Sequence, residues 1–167
     1  MKRLAVIAAC ALGVTAASGA STSAALARCK SSHLRLSGSL QGATQSLLGT
    51  LSLVNPSNRA CALPQAPSRV TLVIRSTVLP VLTVRMNAHL WPSGKPTRRV
   101  SAHGRVFVGI QWRNWCGAPR GNVRLSAGLT IYGAETRRAS VGRVPTPQCG
   151  DHKHSSRVAV SPFIVSR

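Results

Sequence analysis

The sequence predicts an all-β protein, an antiparallel sandwich of two sheets built from seven to eight strands, and three observations predict it. Apolar and polar residues alternate with period two in one short segment after another. Groups of Pro, Gly and Asn stand between those segments, where a missing ladder donor or a tolerated positive φ ends a strand. No segment carries a helical period of convincing length. Short, half-buried strands at this spacing describe a sandwich of the immunoglobulin-like kind.

The first strand is expected over residues 34–40 and the second over 47–55, ended by Asn55-Pro56-Ser57-Asn58. After Pro64 to Pro67, Val70, Leu72 and Ile74 alternate with Arg69, Thr71, Val73 and Arg75. Residues 78–86 form the next candidate; Pro80 lacks a ladder N–H, so this strand belongs at a sheet edge. Beyond Trp91-Pro92-Ser93-Gly94, Val106, Val108, Ile110 and Trp112 alternate with Arg105, Phe107, Gly109, Gln111 and Arg113. Gly117 to Gly121 separates them from Val123, Leu125, Ala127, Leu129 and Ile131, which alternate with Arg124, Ser126, Gly128 and Thr130. Residues 139–144, Pro145 to Pro147 and a last strand over 157–165 complete the order. Hydrophobic residues at 44% suffice for one core, and 167 residues suit one domain.

Residues 1–27 read as a secretory signal rather than as part of that domain, which then spans 28–167. Met1-Lys2-Arg3 is a positive start, LAVIAACALGV an apolar middle, and Ala25-Leu26-Ala27 a small-residue end. Cleavage is expected after Ala27 or near Ala20. Ile7-Ala8-Ala9-Cys10 looks like a lipid-attachment site, but the apolar run before Cys10 is short. Residues 4–27 carry no charge and could instead be retained as an anchor, although their second half is Ser, Thr, Gly and Ala. Export leads to the extracellular face of the envelope or the medium.

Without Cys10 the chain holds Cys29, Cys61, Cys116 and Cys149. Four thiols in an exported chain read as two disulfides with three possible connectivities. Sequential pairing is the expected one. No Cys-x-x-Cys pair supports zinc.

The order of pieces along residues 28–167 resembles a family of secreted actinobacterial proteins, domain of unknown function four-two-three-two. Cys29 precedes Leu34-Arg35-Leu36; Gly42-Ala43 precedes Leu51-Ser52-Leu53-Val54-Asn55; Cys61-Ala62-Leu63 and Pro67 lead into Val70-Thr71-Leu72. Trp112-Arg113-Asn114-Trp115-Cys116, Cys149-Gly150 and Val160-Ser161-Pro162-Phe163 follow. Gln65-Ala66 stands where the family has Gly and an aromatic. The resemblance implies an exported β-sandwich with two disulfides and implies no activity.

Charge gives the chain its functional reach. Lys and Arg number 22 against two acids, Glu135 and Asp151, for a net +20. With only two acids in the chain, there is no acidic cluster for an oxygen-rich Ca²⁺ or Mg²⁺ cage and no sign of the paired carboxylates of a glycosidase. No Gly-x-Ser-x-Gly elbow is present, and Asp151-His152-Lys153-His154 reads as a solvated loop rather than a metal or catalytic site. No catalytic residue, metal or cofactor is expected. Trp112 shares the apolar face of its strand, so it reads as core rather than as a stacking platform. Arg35, Arg69, Arg75, Arg85, Arg105, Arg113, Arg124 and Arg157 fall on the predicted strands, mostly on the polar side. Guanidinium forks bind phosphate and carboxylate bidentately. The expected partners are anionic envelope polymers or lipid head groups, without sequence-specific nucleic-acid readout. Another exported protein, docking near Pro80, is the alternative, with the charge then reflecting composition alone.

Overall fold

A computed structural model describes residues 25–86 and 93–166. Residues 1–24, most of the expected signal segment with Cys10 and the second cleavage position near Ala20, lie outside the described residues, as do residues 87–92 with Trp91-Pro92. A single 3₁₀ turn, Ser31–His33, precedes the strands. The principal strands are β1 (Arg35–Ala43), β2 (Ser46–Val54), β4 (Arg69–Ile74), β9 (Arg105–Arg113), β10 (Asn122–Ile131), β12 (Ala139–Pro145) and β13 (Arg157–Val160). Between them lie the shorter β3 (Cys61–Ala62), β5 (Thr77–Val78), β6 (Leu82–Arg85), β7 (Lys95–Pro96), β8 (Arg99–Val100), β11 (Ala134–Glu135) and β14 (Ile164–Val165).

The larger sheet runs β1-β2-β9-β13-β6, with β14 and β7 joined to it through β9. The smaller runs β11-β10-β4-β5 with β12 also on β10, and β3-β8 is a separate two-stranded ribbon. The alternation dictates what lies between the layers. Leu51, Leu53, Val106, Val108, Ile110 and Trp112 point inward from the larger sheet, and Val70, Leu72, Leu125, Leu129 and Ile131 from the smaller, all buried. Burying such side chains contributes ~1.5–3 kcal/mol each, which is why a two-residue period fixes the register.

Residues 78–86 do not form one edge strand. Pro80 removes a donor, and the chain changes sheets there: β5 pairs with β4, whereas β6 pairs parallel with β13. Leu79 is buried at the crossing, its N–H donating to the Leu72 carbonyl at 2.9 Å. The last strand also divides. Ser161 interrupts it, accepting the Gly109 N–H on Oγ at 2.8 Å while its own N–H donates to the Gly109 carbonyl at 2.9 Å. The side chain substitutes for a ladder partner before Pro162, and β14 resumes on β9.

Both disulfides are formed sequentially, Cys29–Cys61 with Cα atoms 5.0 Å apart and Cys116–Cys149 with 4.6 Å. Two such bonds fit an oxidising compartment. No helix among the described residues is long and apolar enough to cross a membrane.

Candidate anion-binding clefts at the sandwich ends

Register places the cations. Across β1, β2 and β9 the central outward rows are Ser37–Ser52–Phe107, Ser39–Thr50–Gly109 and Gln41–Leu48–Gln111, all uncharged. Arginine enters only at the ends: Arg35–Val54–Arg105 at one, and Arg113 opposite Arg157 at the other. The predicted arginines therefore do not form one continuous face. Arg75, Arg113, Arg124 and Arg157 lie toward the end that carries Cys116–Cys149; Arg35, Arg69 and Arg105 lie toward the opposite end, and Arg85, level with Val160 and Ile110, lies between them on the edge strand. With two carboxylates available, cations packed mid-sheet would repel one another uncompensated, whereas strand ends project them into water.

At the disulfide end four arginines line one cleft of about 390 Å³: Arg75, Arg120, Arg124 and Arg143, over Ile74, Val123 and Pro119. Each comes from a different element. β4 stops at Ile74, and Arg75 takes a left-handed φ of 58° in the turn to β5 rather than continuing the strand as the alternation had suggested. Arg124 on β10 and Arg143 on β12 stand directly opposite each other. Arg120 sits on the loop between β9 and β10, which is held on several sides. Trp115 Nε1 donates to the Pro119 carbonyl at 3.1 Å, and Gly121, at φ 84°, exchanges hydrogen bonds with Thr146. Gly117 lies so close under the Trp115 ring that a Cβ there would come within 2.7 Å of it.

No carboxylate lines this cleft. Glu135 is occupied at the far end by Arg138 Nε at 2.8 Å. Asp151 is occupied by the Lys153 N–H at 2.7 Å and by His154 Nδ1 at 2.5 Å. Its carboxyl is held below the ordinary aspartate range, chiefly by the Lys153 N–H and then by His154. Four unneutralised guanidiniums converging on a concave surface can take an oxyanion bidentately.

A second cleft, about 630 Å³, opens at the opposite end between the 3₁₀ turn, the start of β1 and the approach to β12. Arg35, Arg137, Arg138 and His33 line it beside Leu34, Leu36 and Pro56. Of the predicted arginines, Arg75 and Arg124 enter the first cleft and Arg35 the second; Arg69, Arg85 and Arg105 are exposed outside both. Arg113 lines a separate hollow with Asn114 and Gln148.

The sequence reading missed Arg120, Arg143, Arg137 and Arg138. Arg120, Arg137 and Arg138 are loop residues, and a bulge on β12 just before Arg143 breaks the alternation that would have marked it.

Other candidate chemistry resolves into structure. Trp112 is fully buried and its Nε1 donates to Ser156 Oγ at 2.8 Å, with Trp115 packed 5.6 Å away, centroid to centroid. His152 lies near Cys116 and Cys149, but their sulfurs are bonded to each other rather than free to ligate a metal. The 149–154 loop is wired by Asn114, whose Oδ1 accepts the Gly150 and Asp151 N–H groups at 3.0 Å and whose Nδ2 donates to the Asp151 and His154 carbonyls. No family model, no curated protein and no solved structure matches this chain.

Proposed function

We propose that this protein is an exported, non-catalytic binding module that associates with anionic polymers of the cell envelope through arginine-lined clefts. The observation that carries the reading is the convergence of Arg75, Arg120, Arg124 and Arg143 on one concave surface without a carboxylate. A composition bias alone has no reason to gather them from four elements while leaving the middle of the larger sheet's outer face uncharged. The non-catalytic part draws on the acids: each is engaged on the surface, and the Asp151–His154 pair lies on an exposed loop. Membership of the domain-of-unknown-function family belongs to the same proposal and adds no activity.

A polymer is favoured over a membrane surface because the cations lie in clefts at two ends rather than around an apolar patch. The test is binding of long-chain polyphosphate and of anionic-lipid vesicles over a salt series. The expected result is polymer binding whose log affinity falls linearly with log salt, as counterion release requires. Arg120→Gln/Arg143→Gln weakens it by about tenfold or more, since a charge-assisted hydrogen bond contributes ~1.5–3 kcal/mol. Salt-insensitive binding, or vesicle binding without polymer binding, overturns the reading.

A second reading, a protein-interaction module, draws on Val78 and Leu82. They are 43% and 52% exposed on either side of Pro80, on β5 and β6 at the margins of the two sheets. Capture of one stoichiometric exported protein at high salt, lost in Leu82→Asp, supports it.

A further inference from the structure

We infer that a single chain is bivalent, holding one polyanion at each end and so bridging two polymer strands; the inference rests on the polyanion-binding reading above. The β9 strand carries Arg105 at its start and Arg113 at its end. At ~3.3 Å per residue those positions are roughly 26 Å apart. Along β12, Arg138 just before the strand and Arg143 within it are about four register steps apart once the bulge is discounted, roughly 13 Å. The Debye length at physiological salt is only ~8 Å, so the two clusters act as separate electrostatic sites rather than as one field.

Three further observations keep them separate. The rows between them on the larger sheet are uncharged, so no cationic track leads a bound chain from one end to the other across that face. The ends differ in character: the disulfide end presents four unpaired guanidiniums, whereas at the opposite end Glu135 neutralises part of Arg138 and Leu34, Leu36 and Pro56 contribute apolar wall. The two sheets also join the ends rigidly, since β9 and β10 run from one to the other through the core. A rigid spacer with a cationic site at each end cross-links polymers, which a one-faced basic protein would coat.

The test uses the folded, oxidised chain with two probes. Inorganic tripolyphosphate, too short to span the clefts, titrates as two equivalents per chain. Long-chain polyphosphate gives a light-scattering rise that peaks at intermediate polymer-to-protein ratio and collapses in polymer excess. Arg120→Gln/Arg124→Gln/Arg143→Gln at one end, or Arg35→Gln/Arg137→Gln/Arg138→Gln at the other, reduces the stoichiometry from two to one. Either set abolishes the scattering rise yet leaves the long polymer bound, which shows the variant is folded. One equivalent on the wild type, or scattering undiminished in either variant, overturns bivalence while leaving polyanion binding intact. Failure of the wild type to bind either probe overturns both readings.

Discussion

Arg124 on β10 and Arg143 on β12 face each other directly in an antiparallel ladder, two like charges on the same side of the smaller sheet. Both are exposed, and no carboxylate lines the cleft they share. Like charges directly opposite one another destabilise a sheet. Arg113 and Arg157 repeat the arrangement on β9 and β13 at the same end. A ligand that brings negative charge into the cleft relieves the Arg124–Arg143 repulsion.

Stability and binding should therefore move in opposite directions on neutralisation. Arg143→Gln is expected to raise unfolding free energy in low salt by about 0.2–1 kcal/mol, the range of cross-strand pair effects. The same substitution weakens polyphosphate binding. Urea denaturation at two salt concentrations, alongside a binding titration, checks this: the gain should shrink with added salt, and a loss of stability with unchanged affinity would refute it.

Buried polar pairing sets a second expectation. Ser156 Oγ accepts the indole N–H of fully buried Trp112 at 2.8 Å and lies 3.3 Å from the Arg113 carbonyl. Ser156→Ala leaves that N–H without a partner in a dry core, at a cost of ~1–3 kcal/mol, more than the hydrogen bond's own net contribution. Trp112→Phe/Ser156→Ala removes both groups and should recover part of the loss, which a double-mutant cycle by denaturant unfolding measures. Additive losses would place the energy elsewhere.

Asn114 provides a third. It adopts φ 56° and satisfies four backbone groups of the 149–154 loop. Asn114→Ala forfeits those bonds and must hold a left-handed conformation that alanine dislikes. With ~0.5–1.5 kcal/mol net per bond, the four bonds alone put the expected loss at roughly 2–6 kcal/mol. Asn114→Gly relieves the backbone cost only and should fall between. Hydrogen exchange at the Gly150 and Asp151 amides reads the local effect: unchanged protection there would overturn this account.

How much was legible beforehand follows from which forces are local. Each of the eight predicted segments contains strand, because a period-two pattern is itself the burial that drives it, as in Val106, Val108, Ile110 and Trp112. The sequential disulfides were legible as the expected pairing of four thiols. The segment 78–86 does lie at sheet edges, but it is two strands rather than one, because Pro80 signals a break in pairing without saying that the chain changes sheets. The parallel pairing of β6 with β13 joins segments distant in sequence and leaves no local mark. The cleft suffered the same way. Arg124 and Arg143 lie on different strands, and Arg120 on a loop, so only register brings them together. The charge count announced a strongly basic surface; the split into two ends came from strand direction, which composition does not encode.

The remaining titration prediction concerns Asp151. Its carboxylate accepts the Lys153 N–H and meets His154, and both hold its pKa below the ordinary value of 3.8. A depressed folded-state pKa means the unfolded chain binds the proton more readily, so stability contributed by this group is present above the unfolded value. It is lost as pH falls through the lower, folded value. Between neutral pH and about pH 5 the carboxylate is ionised in both states, so this group leaves stability flat there. Asp151→Asn should abolish the acid-side decline that belongs to this residue while leaving the Asn114 contacts to the 149–154 backbone in place. A carbon-detected NMR titration of Asp151 Cγ is expected to give a midpoint below that of a model aspartate. A midpoint at or above it would mean that the Lys153 N–H and His154 do not hold the carboxylate in solution as they do in the folded structure.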